Sequence, residues 1–147
     1  MNYRLIRNNF NKGRIAEIQW LKILQKQYPS IQDNNIINKF AHMDASSTDN
    51  DIMIEHEHKN RETINHYKYD GLMINECKIK YSKEQLKKGI RQIFYWTCKD
   101  GLYYWELTNF EKQKEQMKFY RNGNYASGEG ARDVVDIKKE YLKLYKY

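Results

Sequence analysis

Residues 51–61, Asp51-Ile52-Met53-Ile54-Glu55-His56-Glu57-His58-Lys59-Asn60-Arg61, constrain the fold more than any other stretch of the chain. Ile52, Met53 and Ile54 form a short apolar run of strand length, which predicts a strand beginning in a core. The run then turns polar. Because strand side chains alternate, Asp51, Glu55, Glu57 and Lys59 share one face. An ordinary surface strand would carry apolar residues on its other face, whereas here that face holds His56 and His58. A strand that starts in a core and ends in two carboxylates and a lysine needs a polar pocket to receive them.

The helix expected to cover that strand spans residues 12–28. At about 100° per residue, Ala16, Ile18, Trp20, Leu21, Ile23 and Leu24 spread over one broad arc. Glu17 projects into the middle of it. A first-turn position suits a carboxylate because of the helix dipole, but that explains its place along the axis and not its face. A carboxylate buried without a partner costs several kcal/mol or takes up a proton. Glu17 is therefore expected to reach a polar site.

Beyond Pro29, residues 36–43 read as a strand with Ile37, Phe40 and Met43 as core candidates. The stretch 45–50 reads as a turn, which puts Asp44 at the mouth of a hairpin into 51–61. Another strand is expected over 66–74, broken at Asp70-Gly71, with 77–79 extending it. Ser82-Lys83-Glu84-Gln85 matches a capping box and predicts a helix to about Trp96. Residues 102–107 form a strand, and 117–120 with 133–137 a late hairpin. Residues 142–147 end the chain as a strand edge or short helix. This order predicts an α/β (α+β) domain: a small mixed sheet flanked by helices, with a C-terminal β-hairpin extension over 108–147. The 147 residues make one domain, with its core over about 12–107.

The formal net charge of +7 favours polyanionic partners, nucleic acid first and an anionic membrane surface second. No run approaches the ~18 apolar residues of a membrane span, and the first twelve residues lack the apolar centre of a secretory signal. Two cysteines make no disulfide framework, which predicts reduced thiols and an intracellular protein. The abundance of Asn, Lys and Ile is the usage of an AT-rich genome.

Glu17, Asp44 and Glu57 with Lys59 beside them form an oxygen-rich set suited to Mg²⁺ or Mn²⁺. A lysine there can orient or deprotonate water, or stabilise developing negative charge. At these residues the chain resembles the PD-(D/E)xK nuclease superfamily of restriction endonucleases, Holliday-junction resolvases and phage nucleases. Its pattern is a helix with an acidic residue, an Asp on one strand, Glu or Asp-x-Lys on the next, then a helix. The matching residues are Glu17, Asp44 and Glu57-His58-Lys59, with Met43 where the family's Pro would stand. The resemblance covers residues 12 to about 107. It implies a restriction-endonuclease-like core and a DNA endonuclease using Mg²⁺ (or Mn²⁺), resolvase-like or nicking. Glu17, Asp44 and Glu57 would be its metal ligands and Lys59 its catalytic lysine. Relatives of this size are often homodimers, and the expected location is the cytoplasm, or a host's if the chain is viral.

A second register, Asp70, Glu76 and Lys78, also reads D…E-x-K, but five intervening residues leave little room for a two-strand hairpin. Under the first register Lys78 is a phosphate-contact candidate. His56-x-His58 lacks structural zinc spacing and is expected to cap the sheet end or touch substrate. Gln92, Tyr95 and Trp96 are expected on a helix lining the site or in its core. Lys83, Lys87, Lys88 and Arg91 form a basic face that either meets phosphates or is simply solvated. Tyr103, Tyr104 and Trp105 are expected in the core and sheet edge, and the loop 122–132 could touch DNA. Two readings without catalysis stand beside the nuclease: a module of the same fold that grips nucleic acid or a host protein, and an inhibitor whose basic surface meets an acidic host protein.

Overall fold

The computed structural model of the chain describes residues 3–37, 41–122 and 132–147, with side chains for 12–36, 41–122 and 132–147. Among these residues the fold is mixed, of the α+β type, with three α-helices and two sheets. Helix α1 (Tyr3–Gln25) includes residues 12–25 of the expected 12–28 helix and starts nine residues earlier, so Glu17 lies in its interior and not in its first turn. Ala16, Trp20 and Leu24 are buried on its inner stripe, while Ile18 is exposed, so the apolar arc is narrower than its sequence suggests.

A two-residue strand β1 (Gln32–Asp33) leads into a single helical turn, α2 (Asn34–Ile37). A strand was expected to start here. The Asp33 carboxylate instead accepts the Asn35 amide at 3.1 Å, an Asx arrangement that starts a turn of helix. The middle of that expected strand, with Phe40, lies outside the described residues, while Met43 is buried as expected.

Strand β2 (Ala45–Asp49) occupies the stretch expected to be a turn. Small residues suit this strand. Ala45 is fully buried against the α1 cluster, and the Ser47 hydroxyl is 2.8 Å from His56 Nε2. The turn is shorter and later, at Asn50 and Asp51, with φ of 50° and 66°. Two consecutive left-handed residues of this kind make the tight hairpin loop whose twist matches antiparallel strands. They lead into β3 (Ile52–Arg61), which pairs with β2 so that Ala45 faces His56 and Ser47 faces Ile54.

After β4 (Gly71–Asn75), helix α3 (Glu76–Lys87) starts six residues before the capping box. Ser82 is not its cap but a buried interior residue, donating to Gln92 Oε1 at 2.8 Å. The helix stops at Gly89, whose φ of +79° reverses the chain. Residues 91–96, expected as the helix's second half, belong to strand β5 (Arg91–Cys98). Phe94, Tyr95, Trp96 and Thr97 suit a strand better than a helix, and Gly89 separates them from α3. Strand β6 (Gly101–Leu107) follows the Lys99-Asp100 turn as expected.

The late hairpin is β7 (Met117–Asn122) with β8 (Arg132–Lys138), and β9 (Lys143–Leu144) is the edge strand near the C-terminus. The main sheet runs β1-β2-β3-β5-β6-β9, with only β3 and β5 parallel; β4-β8-β7 form a separate antiparallel sheet. On one face of the main sheet, Trp20, Leu24 and Tyr28 pack against Ala45, Ile54, Ile93, Tyr95 and Leu102. On the other, Phe94, Trp96, Trp105 and Leu107 pack against Ile79 of α3 and against Leu72, Ile74, Val135 and Ile137 of the second sheet. The late hairpin is thus part of the core and not an appendage. No described helix is long and apolar enough to cross a membrane.

The second sheet presses closely at Gly71, where an added Cβ would lie 2.4 Å from the Ile137 carbonyl oxygen. Backbone on both sides leaves little room to adjust. Gly71→Ala is expected to cost about 1–3 kcal/mol by overpacking, measured as a lower urea midpoint at unchanged slope.

Candidate functional site

The β2–β3 register builds the site. Ala45 pairs with His56, so Asp44, one residue earlier, comes up beside Glu57, one residue later. The two carboxyl groups lie close enough for each to shift the other's titration. Asp44 Oδ2 also accepts the His58 backbone amide at 2.8 Å, which fixes its orientation against β3. Glu17 joins from α1 through Asn35, whose side-chain amide donates to Glu17 Oε1 at 2.6 Å and to Asp44 Oδ1 at 3.3 Å. Arg14, one turn before Glu17, donates to Glu17 at 2.6 Å and to Asp33 at 2.5 Å. The face of Glu17 that looked out of place on an apolar arc is the face that meets this cluster.

Two carboxyl groups this close repel when both are ionised, which favours one proton between them. Glu57, only 3 % exposed, has its pKa raised well above the ordinary value by burial and by Asp44, against the lowering charges of Lys78 and Lys59. Burial would raise Asp44 too, but the Glu57 carboxyl and hydrogen bonds from the His58 amide and Asn35, with the charge of Lys78, hold it below. Burial thus favours the neutral form of Glu57, while the donors around Asp44 favour its charged form. Glu17 is raised by burial and by Asp44, against Asn35 and Arg14.

Lys59 shares the Glu57 face by strand parity, but Lys78 makes the closer contact. Its Nζ lies 2.9 Å from Glu57 Oε2. This is an ion pair by distance without hydrogen-bond geometry, and Oε2 is a buried oxygen that receives no hydrogen bond. Lys78 comes from the first turn of α3, on one stripe with Tyr81 and Gln85. Those two donate to Glu55 at 2.7 and 2.8 Å, and Gln92 donates to it at 2.9 Å. Glu55 is thus a clamp between β3, β5 and α3, with its oxygens occupied.

The histidines lie on the opposite face, in the α1 core. His56 is held between Ser47 and Tyr95, at 2.8 Å each. His58 stacks under Trp20 and lies 2.7 Å from Thr97 Oγ1. Burial first, with nearby cations, lowers their pKa values to about 3 and about 4, so both are neutral. They neither cap the sheet end nor face the carboxylates.

The competing register does not assemble as two strands, because Asp70 is an exposed residue ahead of β4 and Glu76 opens a helix. Gln92, Tyr95 and Trp96 lie on β5, and Gln92 reaches Glu55. Of the expected basic face, Arg91 belongs to β5 and pairs with Glu106, Lys87 pairs with Glu84, and Lys83 lies 3.9 Å over the Phe110 ring. Tyr103 and Trp105 are core residues, as expected. The interior of the 122–132 loop lies outside the described residues. A cavity of about 510 Å³ beside the α1 cluster is lined by Tyr28, Tyr95, Tyr104 and Tyr145, and its Arg91 and Glu106 neutralise each other.

No family model, curated protein or solved structure matches the chain. What the site can do rests on its own chemistry. Among the described residues no three His, Cys, Asp or Glu side chains gather closely enough to hold an ion by themselves. The Asp44–Glu57 pair nevertheless fits a small hard cation. Mg²⁺ typically takes one or two carboxylates and completes its shell with waters and phosphate oxygens. Two hard oxygen donors in contact, one of them with a buried oxygen lacking any hydrogen bond, meet that requirement.

Asn35, Arg14 and the Glu55 clamp were not found from the sequence. Arg14 could have been, since it precedes Glu17 by three residues on one helix. Asn35 could not, because its segment reads as the approach to a strand.

Proposed function

We propose that the chain is a metal-dependent DNA endonuclease of the PD-(D/E)xK type with a restriction-endonuclease-like core. The observation that carries this reading is the Asp44–Glu57 contact across the β2–β3 hairpin, with a cationic side chain on Glu57. The order α1, β2, β3, α3, β5 supports it, since it sets an acidic helix, an Asp, an E-x-K strand and a helix in the family's sequence. Two cysteines without a disulfide support an intracellular location, and the excess of basic residues suits a polyanionic substrate.

Asp44 and Glu57 would hold Mg²⁺ or Mn²⁺, which when bound supplies a more acidic water and offsets charge on the scissile phosphate. Asp44 is the fixed ligand, oriented by the His58 amide and by Asn35. Glu57 must give up its proton to serve. Glu17 acts on Asp44 through Asn35, and Arg14 holds Glu17 in place. Lys59, on the Glu57 face, orients the attacking water or stabilises charge on the phosphate.

Incubation of supercoiled plasmid and of branched DNA with Mg²⁺ or Mn²⁺ tests the proposal. Nicks or double-strand breaks are expected, abolished by EDTA and reduced roughly 10²–10³-fold in Asp44→Asn. Salt-dependent binding that neither ion converts into cleavage would replace the enzyme with a non-catalytic nucleic-acid-binding module.

A further inference from the structure

Lys78 stands where a lysine has least reason to be. It lies in the first turn of α3, where the helix dipole disfavours a cation. Its ammonium is nevertheless turned onto two oxygens, Glu57 Oε2 at 2.9 Å and the His42 backbone carbonyl. The helix that carries it is fixed to β3 by Tyr81 and Gln85 on Glu55, two residues before Glu57. The lysine is thus delivered to the carboxylate pair by a braced element. Its side chain keeps 22 % of its surface open to solvent, which leaves it a way out.

We propose that the Lys78 ammonium is a built-in counter-cation that occupies the place of a divalent ion on Glu57 while the site holds no metal. This inference rests on the metal-site reading of Asp44 and Glu57. An ammonium and a divalent cation repel strongly at such separations, so both cannot share Glu57 Oε2. Lys78 therefore competes with metal in the absence of nucleic acid. Removing its charge frees Oε2 and strengthens metal binding, the reverse of what loss of a ligand or of a structural contact would do. A lysine displaced from Glu57 remains beside the pair, where a phosphate would meet it.

The test measures Mn²⁺ binding to the whole chain without DNA, by the paramagnetic signal of the unbound ion, in the unaltered protein, Lys78→Met, Lys78→Gln and Glu57→Gln. Two neutral replacements guard against one failing to fold, and cooperative thermal unfolding identifies folded variants. Both Lys78 variants are expected to bind Mn²⁺ roughly five-fold or more tightly than the unaltered protein, while Glu57→Gln binds it more weakly. Equal or weaker binding by the Lys78 variants, with clear binding by the unaltered protein, overturns the inference and leaves the carboxylate metal site standing. If neither the unaltered protein nor the Lys78 variants binds Mn²⁺, the metal-site reading itself fails and takes the inference with it.

Discussion

Glu57→Gln is expected to reduce DNA cleavage roughly 10²–10³-fold while making the metal-free protein more stable. The two effects have one cause. Glu57 is buried beside Asp44 and receives no hydrogen bond on Oε2. A glutamine of the same shape can donate to Asp44, has no charge to bury and cannot serve as an anionic ligand. Replacing a whole buried ion pair with neutral groups often stabilises by about 1–4 kcal/mol, whereas removing one partner costs about 3–5 kcal/mol only where the other charge stays buried. For a chain of this size each kcal/mol moves Tm by about 2–4 °C. Lys78, the partner lost, has a solvent-exposed route and need not remain buried and unpaired. A variant both less active and less stable would mean that Glu57 is a structural group.

The pH dependence follows from the same pair. Glu57 has a folded-state pKa above its ordinary 4.5, so above that value the folded protein binds more protons than the unfolded chain. Its contribution to stability is complete below pH 4.5 and is lost as pH rises through the folded value. Glu17, also raised, acts in the same direction. Asp44 is lowered from 3.8, so its contribution is present above that value and lost as pH falls through the folded one. In EDTA, the Tm of the unaltered protein should therefore decline more steeply above pH 4.5 than that of Glu57→Gln, in which Glu17 alone of the raised pair still titrates. Saturating Mg²⁺ or Mn²⁺ should reverse the difference, because an ion that binds the deprotonated pair stabilises more as pH rises.

The strand, observed at Ile52–Arg61 with Ile52 and Met53 exposed and not in a core, the helix face carrying Glu17 and the convergence of Asp44 on Glu57 were legible in the sequence because each follows from short-range periodicity. Side-chain alternation sets Glu57 and Lys59 together, and helical spacing turns Glu17 inward. The element boundaries around them were less legible. Ser46, Ser47 and Thr48 look like turn residues until Trp20 and Tyr28 cover the strand and His56 takes the Ser47 hydroxyl. Residues 90–96 can be drawn as an apolar helical stripe, and only Gly89 with the aromatic run marks the change to strand. That shift moved α3 six residues toward the N-terminus, and with it Lys78 went from an extended segment to a helix facing Glu57. A lysine from another element is a contact that E-x-K spacing does not encode.

Glu55→Ala is expected to have the opposite thermodynamic sign to Glu57→Gln, although the two glutamates are two residues apart on one face of β3. Glu55 is 6 % exposed and accepts from Tyr81, Gln85 and Gln92. Gln92 is fully buried, and its carbonyl is already taken by Ser82. Loss of the Glu55 carboxylate takes an acceptor from Tyr81, Gln85 and Gln92 and opens a cavity under α3, with Gln92 left the Arg91 carbonyl at 3.1 Å. A cost of about 2–4 kcal/mol follows from the lost acceptor and the cavity together, measured as a fall in the urea midpoint. Glu55→Gln should cost less, since its carbonyl still accepts and the Tyr81 hydroxyl can turn to accept from the new amide. If Glu55→Ala costs under about 1 kcal/mol, the network is not the clamp that places Lys78. From the sequence alone Glu55 and Glu57 are interchangeable, as acids of the same parity on one strand. What separates them is the supply of donors. Neutral groups saturate Glu55 and leave no oxygen for a cation, whereas Glu57 keeps a buried oxygen that only a cation approaches.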